Sequence, residues 1–351
     1  MDMQKFFSKT PFVIVADENA GELWAGRPNT LKEIERILRR LSRRDESSLD
    51  ILWANFGAGK THTLFYLANR ISSQVPNCIT VIVELPEQIK NFKELYHRIA
   101  RKLPVFQMAE IFLAGGGVIV SGDLQKAVRA IKHGNPIEKE IAEQWLLGER
   151  PDLRTLRQTT GINSRIESDA DAADVLSEII GGLSACNTRL CLMFDEFQRI
   201  GKLPARAQSQ ITSSLRTLLS KNPRSLSMFI AITSKMEDTA MKFVPDELKT
   251  IMGMQRSITL PDLSMEEALE FVRDRIAFFR PQGYQGGDFD PLGKDSVEVA
   301  LKTISDADAA RMIPRTILQA LGHLYDEVPG NGEALDPADA LDVLKELNWG
   351  D

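Results

Sequence analysis

Cysteine and histidine are both scarce: the chain of 351 residues holds three cysteines and four histidines. The cysteines, Cys78, Cys186 and Cys191, form no CxxC pair, and the scattered histidines make no metal constellation. Neither a zinc site nor a disulfide framework is therefore indicated. Small buried thiols, two of them in or beside predicted strands, are typical of a reducing compartment, and we expect a cytoplasmic protein.

Long apolar runs are missing as well. The longest are far too short to span a bilayer, and the N-terminal stretch 1–5 leads to no apolar core of a signal peptide. We therefore expect no membrane partner. A hydrophobic content of 43% with 26% charged residues is that of an ordinary globular protein, and 351 residues can bury a large core in two lobes.

The chain also has no excess of basic residues. The net charge of −6 argues against a broad nucleic-acid surface, although it leaves room for a local one. Basic side chains cluster on two predicted helices, one group being Arg36, Arg39, Arg40, Arg43 and Arg44 and the other Lys93, Arg98, Arg101 and Lys102. No aromatic residues are interleaved for base stacking, so solvated helix faces are the favoured interpretation.

The most informative segment is a glycine-bearing loop between a predicted strand, 51–53, and a predicted helix. Its residues are Ala54, Asn55, Phe56, Gly57, Ala58, Gly59, Lys60 and Thr61. In this architecture backbone N–H groups of the loop face nucleotide phosphates, the lysine adds a positive charge and the threonine hydroxyl binds Mg²⁺. Ala54 replaces the first glycine of the usual pattern, which lowers its specificity. The segment predicts a site for ATP and Mg²⁺.

A second segment supplies the acids that nucleotide hydrolysis needs. Five apolar residues, 190–194, predict a strand buried on both faces, and Asp195 and Glu196 follow at its carboxyl end. Ligands bind at that end of the strands in open α/β sheets. We predict that Asp195 holds the metal, directly or through water, and that Glu196 orients or activates the attacking water.

Further candidates for contact with a γ-phosphate follow from the residues alone. The apolar run 226–232 ends in Thr233 and Ser234; either side chain could sense the phosphate, and a strand ending in a turn is an equal explanation. Pro314 suits the first position of a helix, which leaves Arg315 in the first turn. A guanidinium there can grip a γ-phosphate, while a surface arginine is the slightly favoured alternative.

The order of predicted elements indicates an α/β domain followed by helices. We place an α/β nucleotide-binding domain over residues 1–260 and a helical lid over 261–351, with further strands at 79–85 and 256–260. Residues 104–187 separate the loop and the acidic strand too widely for a compact βαβ core. A mainly helical insertion is therefore predicted there, and no internal repeat is evident.

Together, the loop, the Asp-Glu strand, the polar-ended strand and the Pro-Arg helix start resemble an AAA+ ATPase. That family is a P-loop NTPase with a parallel sheet flanked by helices and a C-terminal helical lid. The order is similar to the origin-recognition and archaeal-initiator branch, in which an arginine-bearing segment, here Gly26-Arg27-Pro28, precedes the first core strand. The resemblance implies a nucleotide site of residues 54–62 and Arg27, a sensor-2 arginine at Arg315, and sensor 1 at Thr233 or Ser234.

The same resemblance implies a homo-oligomer whose site is completed in trans. An arginine finger offered to a neighbouring subunit is expected near the end of helix 204–221, with Arg224 the best position and Arg216 the second. Initiators of this branch also carry a winged-helix domain after the lid, for which we expect no room before Asp351. Any DNA contact would then come through the core, the insertion, a local basic patch or a partner.

A narrower similarity is to the ATP-binding proteins of bacteriophage-exclusion (BREX) defence systems. It rests on Phe56 to His62, Val83 to Pro86 and, inside the predicted insertion, Trp145 to Glu149 ahead of Leu156 and Gly161-Ile162. It implies an antiviral ATPase that works beside effector proteins of the same system, such as a nuclease or a methyltransferase.

We therefore predict an ATPase that binds and hydrolyses Mg-ATP to assemble or remodel a multiprotein complex on or near DNA. An ATP-gated scaffold with little turnover is the alternative, for which the alanine at position 54 leaves room. A P-loop kinase or transferase is a third hypothesis, against which Glu196 and the Pro-Arg helix start argue.

Overall fold

The computed structural model describes residues 6–14, 19–43, 46–114, 122–234, 242–249, 257–307, 312–329 and 333–346. The chain divides into two compact units. The first unit combines Met1–Glu35, Ala54–Asn69 and Thr259–Asp351, and the second combines Arg36–Trp53 and Arg70–Ile258. The division into domains at residue 260 stays a prediction.

Five strands form one parallel sheet with the order β2-β3-β4-β1-β5. The strands are β1 (Ser48–Ala54), β2 (Cys78–Glu84), β3 (Arg189–Asp195), β4 (Leu226–Thr233) and β5 (Ser257–Leu260). Every residue of β3 is buried, and so is every residue of β4 except the last. This burial explains why both sequences are apolar runs without alternation. The predicted α/β fold is confirmed, with Arg256 of the last predicted strand outside the described residues.

Helices surround and follow the strands. They are α1 (Pro28–Arg43), α2 (Lys60–Gln74), α3 (Phe92–Lys102), α4 (Val105–Ala114), α5 (Gly122–His133), α6 (Pro136–Leu146), α7 (Leu153–Thr160), α8 (Asp169–Ala185), α9 (Ala205–Lys221), α10 (Asp246–Lys249), α11 (Met265–Phe278), α12 (Lys294–Ala307), α13 (Pro314–Asp326) and α14 (Pro337–Glu346). Across the described ranges, no helix combines the length and the apolar character that crossing a membrane requires.

The second unit has a core in which the sheet packs against helices. Leu192 of β3 and Ile230 of β4 are buried in the same apolar cluster as Tyr96 of α3 and Leu176 of α8. Burying each large apolar side chain contributes about 1.5–3 kcal/mol relative to leaving it exposed. The core therefore stabilises β3 and β4, whose carboxyl ends carry predicted site residues.

Between α3 and β3 the described chain is mainly helical, and α6 is tied to α3. Trp145 of α6 is 2% exposed and its Nε1 donates a 2.7 Å hydrogen bond to the carbonyl oxygen of Ser164. The hydroxyl of Tyr96 donates a 2.5 Å hydrogen bond to the carbonyl oxygen of Leu146. The Trp-Leu-Leu-Gly-Glu segment from residue 145 thus begins in core packing that joins α6 to α3.

The first unit has its own core, to which the N-terminal segment contributes. Phe6, Phe7 and Phe12 are buried in the apolar cluster that contains Ile276 of α11 and Leu321 of α13. The Phe7 and Phe12 rings pack edge to face, with centroids 6.1 Å apart. The N-terminal segment is therefore part of the helical core formed by the C-terminal residues.

Candidate functional site

The loop between β1 and α2 is shaped by two glycines with left-handed backbone angles. Gly57 has a φ of 78° and Gly59 a φ of 99°, conformations that a side chain disfavours. A Cβ on Gly57 would also lie 3.0 Å from Cδ1 of Ile313 and 3.1 Å from Cβ of Arg315. Gly57 thus permits both the turn and the close approach of the segment that starts α13.

Lys60 begins α2 and is 6% exposed. Its Nζ donates a 3.0 Å hydrogen bond to the carbonyl oxygen of Asn55, so the side chain reaches back across the loop. An ammonium at a helix N-terminus adds to backbone N–H groups and a helix dipole that already favour an anion. Thr61 follows in an exposed position. Ala54, which stands where a glycine is usual, is 1% exposed, so its methyl group is accommodated.

Arg27 lies against this loop. Its Nη1 donates a 2.6 Å hydrogen bond to the carbonyl oxygen of Ala58, and the residue is 5% exposed. Burial lowers the pKa of Arg27 to about 10, an effect that the charges of Asp262 and Glu267 partly offset. The guanidinium is therefore still positive at neutral pH. Its Nε and Nη2 are buried without a hydrogen-bond partner among the described residues, so an acceptor brought by a ligand would satisfy donors that are costly to leave unpaired.

Arg315 meets the opposite part of the loop. It stands in the first turn of α13, directly after Pro314, as the sequence predicts. Its backbone N–H donates a 3.3 Å hydrogen bond to the carbonyl oxygen of Gly57. Its guanidinium carbon lies 4.3 Å from the centre of the Phe56 ring, a distance typical of a cation–π contact. The loop therefore has an arginine contact at Ala58 and another at Phe56 and Gly57.

His62 belongs to an aromatic group beside the same loop. The His62 ring centroid lies 6.3 Å from that of Trp24, which in turn lies 5.1 Å from that of Tyr66. The two α2 rings are thus joined by an indole from the segment before α1. The structure gathers the predicted residues 54–62, Arg27 and Arg315 in the first unit.

In the second unit, β3 ends at the two predicted acids. Asp195 is 4% exposed, and its Oδ1 accepts a 2.8 Å hydrogen bond from the backbone N–H of Glu196. Glu196 has a φ of 58°, in the left-handed region that non-glycine residues rarely occupy. Strained backbone conformations of this kind concentrate at functional sites. The register of β2 against β3 puts Glu84 beside Asp195 at the same strand ends.

Gln198 joins this acidic turn to the next strand. Its Nε2 donates a 2.7 Å hydrogen bond to Oε2 of Glu196, and its Oε1 accepts a 3.0 Å hydrogen bond from the backbone N–H of Thr233. Thr233 ends β4, and its Oγ1 is buried with no hydrogen-bond partner in the part of the chain that the structure describes. Ser234 follows and is 7% exposed. Asp195, Glu196, Thr233 and Ser234 are thus gathered in the second unit.

The two predicted finger arginines lie elsewhere in that unit. Arg224 is exposed in the turn that precedes β4, and Arg216 is exposed on α9. Arg224 is therefore at the amino end of β4, whereas Thr233 is at the carboxyl end. Neither arginine joins the residues around Glu196.

Sequence reasoning missed Gln198 and the arginine next to it. Arg199 Nη1 donates a 3.1 Å hydrogen bond to Oε1 of Glu84, and its Nε lies 3.7 Å from Oε2 of Glu196. A polar residue two positions after a predicted water-orienting acid is the only local signal, and it does not reveal a partner on another strand. Only the tertiary structure shows that the glutamine is shared between Glu196 and β4.

The donor groups of each unit have the chemistry that a nucleotide and Mg²⁺ require. The Thr61 hydroxyl in the first unit and the Asp195 carboxylate in the second are each oxygen groups of the kind that Mg²⁺ takes as ligands. Lys60 and the unpaired nitrogens of Arg27 suit phosphate or another acceptor. In the part of the chain that the structure describes, no group of three or more His, Cys, Asp or Glu side chains could hold a metal by itself.

Comparison with solved structures identifies the architecture. The ORC2 protein of Aeropyrum pernix, solved as ADPNP–ADP complexes, superposes with a TM-score of 0.58 at 14% identity over 94% of this chain and 71% of that one. The fold is that of an AAA+ P-loop NTPase. Neither a family model nor a curated protein sequence matches the chain.

Two further structures show the same fold. CDC6P of Pyrobaculum aerophilum has a TM-score of 0.56 and 16% identity, covering 95% of this chain and 72% of that one. The ORC1 protein of A. pernix, solved in complex with DNA, has a TM-score of 0.55 and 13% identity, covering 98% and 70%. The AAA+ fold predicted from the motifs is confirmed, and its structural neighbours are of the ORC and Cdc6 type.

Proposed function

We propose that the protein is an ATPase of the AAA+ type that uses Mg-ATP to assemble or remodel a protein complex. The observation that carries the proposal is the loop 54–61. It combines two left-handed glycines, a lysine at the helix start and an adjacent buried arginine with two unpaired nitrogens. These are the donors that a polyphosphate needs. An AAA+ neighbour solved with ADPNP and ADP is consistent with a nucleotide at this loop.

Each of the predicted site residues has a defined role in the proposed hydrolysis. Lys60 and the loop N–H groups would bind the phosphates, and Arg27 would donate to the nucleotide. Glu196 orients a water molecule for in-line attack on the γ-phosphorus. Arg315, as sensor 2, and Thr233 or Ser234, as sensor 1, would contact the γ-phosphate. Mg²⁺ held by Thr61 and Asp195 would neutralise charge on the phosphates.

The site would be completed in an oligomer. Arg224, with Arg216 as the second candidate, would reach the nucleotide of a neighbouring copy. Both are exposed, as such a role requires. A trans arginine accelerates related phosphoryl transfers by roughly 10³–10⁵.

The cellular setting is a further part of the proposal. The BREX-like segments support a cytoplasmic antiviral role beside effector proteins of the same system. An AAA+ neighbour solved with DNA makes association with DNA consistent with the fold, through a local basic patch or through partners.

The test is steady-state release of free phosphate by the full chain with Mg-ATP. Wild type should turn over, and Glu196→Gln should lower kcat by at least about 100-fold, as loss of a positioned acid–base group does. The substitution should leave nucleotide binding intact, since it removes a charge that acts on water. Lys60→Ala should instead abolish binding of a labelled ATP analogue. Equal turnover by wild type and Glu196→Gln would contradict hydrolysis at this site.

An ATP-gated scaffold is the second candidate, for which the alanine at position 54 leaves room. It predicts that ATP binds and changes the assembly state, while phosphate release is negligible and insensitive to Glu196→Gln. Binding measured by calorimetry beside the turnover assay separates the two functions.

A further inference from the structure

The side chain of Gln198 has both ends of its amide engaged. It lies in the 3₁₀ helix Phe197–Lys202 that follows the acidic turn and is 8% exposed. The Nε2 group donates 2.7 Å to Oε2 of Glu196, and Oε1 accepts 3.0 Å from the N–H of Thr233. Turning the amide over would set its oxygen against a carboxylate and its N–H₂ against a backbone donor. One orientation is therefore strongly preferred.

The other neighbour of Glu196 is less suited to holding its carboxylate. Arg199 Nε lies 3.7 Å from Oε2 of Glu196, beyond ordinary hydrogen-bond length. The same guanidinium is engaged at the end of β2, where Nη1 donates to Glu84 and to the carbonyl oxygen of Leu85. Gln198 thus makes the short, direct contact with the Glu196 carboxylate.

We propose that Gln198 is the positioning residue that fixes the Glu196 carboxylate and couples it to the carboxyl end of β4. The inference rests on the proposed function, in which Glu196 orients the attacking water. The hydrogen bond from Nε2 orients the Glu196 carboxylate. The hydrogen bond to Oε1 connects the same amide to the main chain at Thr233, a sensor-1 candidate. A movement of Thr233 would then be passed to Glu196 through a single rigid amide.

The hydrogen-bonding requirement gives the proposal specific consequences. Gln198→Met keeps the length and volume of the side chain and removes both hydrogen bonds. Gln198→Glu keeps an acceptor for the N–H of Thr233 and sets a second carboxylate against Glu196. If only the hydrogen bond to Thr233 mattered, Gln198→Glu would retain activity. If the orientation of the Glu196 carboxylate matters, Gln198→Glu should lower activity more than Gln198→Met does.

The experiment is a double-mutant cycle on the full chain. The variants Gln198→Met and Gln198→Glu are measured in the wild-type and the Glu196→Gln backgrounds, for kcat, KM, analogue binding and thermal midpoint. In the wild-type background Gln198→Met should lower kcat about tenfold, the value of one hydrogen bond to a charged group, with KM and binding unchanged. Gln198→Glu should lower kcat further. In the Glu196→Gln background Gln198→Met should cause no further fall in the residual rate.

The control is Gln210→Leu, which changes an exposed glutamine on α9 and should behave as wild type. The inference is overturned if Gln198→Met retains wild-type kcat while Glu196→Gln is inactive, and the proposed ATPase function then survives. Equal fold losses in both backgrounds with a lowered thermal midpoint would also overturn it, because a purely structural glutamine does not act through Glu196. Equal turnover by wild type and Glu196→Gln removes the proposed function, and this inference with it.

Discussion

At the scale of single residues, Arg27 is the clearest link between an energetic cost and a function. The residue is 5% exposed, and across the described ranges two of its guanidinium nitrogens have no hydrogen-bond partner. Burying an unpaired donor costs about 1–3 kcal/mol, more for a charged group. Asp262 and Glu267 offset part of that cost by raising a pKa that burial lowers. Such a residue is explained if a ligand supplies the missing acceptors.

Replacing Arg27 should weaken nucleotide binding. Arg27→Met retains the apolar stem and removes the donors, so the Kd for an ATP analogue should rise about ten- to a hundredfold, the worth of one charge-assisted hydrogen bond or slightly more. Arg27→Lys should restore little of this, because an ammonium cannot donate through a planar fork. Isothermal calorimetry measures both.

The matched control for this prediction is Arg36→Met, an exposed arginine on α1. Its affinity for the analogue should equal that of wild type. Unchanged affinity in Arg27→Met would show that the unpaired nitrogens face no part of the ligand.

At the scale of secondary-structure elements, the paired strands β2 and β3 explain the behaviour of two thiols. Cys78 starts β2, and Cys191 lies in β3 opposite Thr80. Burial raises the pKa of Cys78 from 9.0 to about 12, and it raises the pKa of Cys191 well above its usual value. The pKa of Cys186, partly exposed after α8, is also raised by burial. A raised thiol pKa means less thiolate and therefore less reactivity.

The folded protein should therefore resist thiol reagents at pH 8. For Cys78, a pKa of about 12 in place of 9.0 lowers the thiolate fraction at pH 8 about 1000-fold. In the Cys186→Ser variant, an aromatic disulfide reagent should label the remaining two thiols far more slowly than in denaturant. Modification of Cys78 at the rate of a free thiol in the native protein would contradict the raised pKa of that thiol.

The elements also show how far local patterns reach. The apolar runs at 190–194 and 226–232 predicted buried strands because a strand covered on both faces has no polar alternation. The loop after β1 was recognisable because glycine, lysine and threonine must occupy neighbouring positions for one chemical task. Gln198 had no such signal, because its second partner is 35 residues away on β4.

At the scale of the whole molecule, the proposed mechanism depends on a second copy. Arg224 is exposed and lies at the amino end of β4, whereas the residues around Glu196 lie at the carboxyl ends of the strands. An arginine exposed at this position is suited to a contact in trans. Oligomer formation should then depend on bound nucleotide, because the triphosphate supplies the charge that the arginine meets.

Mass measured by light scattering should rise when a slowly hydrolysed ATP analogue and Mg²⁺ are added. Arg224→Ala should lower kcat by about 10³-fold or more while analogue binding by each chain is retained, as for loss of a trans arginine. Arg216→Ala is the comparison: a larger loss there would assign the finger to α9. A monomer in both conditions would remove the trans-arginine proposal.

Local sequence patterns determined the parallel sheet, the glycine-bearing loop after β1 and the acidic end of β3. Each of these features depends on the burial, backbone freedom or charge of residues that are adjacent in the sequence. The tertiary structure alone decided which distant groups meet them. Gln198 accepts from the backbone N–H of Thr233 across 35 positions, and the N-terminal phenylalanines join the helical core of α11 and α13. A hydrogen bond or an apolar contact needs only proximity in space, and one sequence carries no periodic signal for partners brought together by folding.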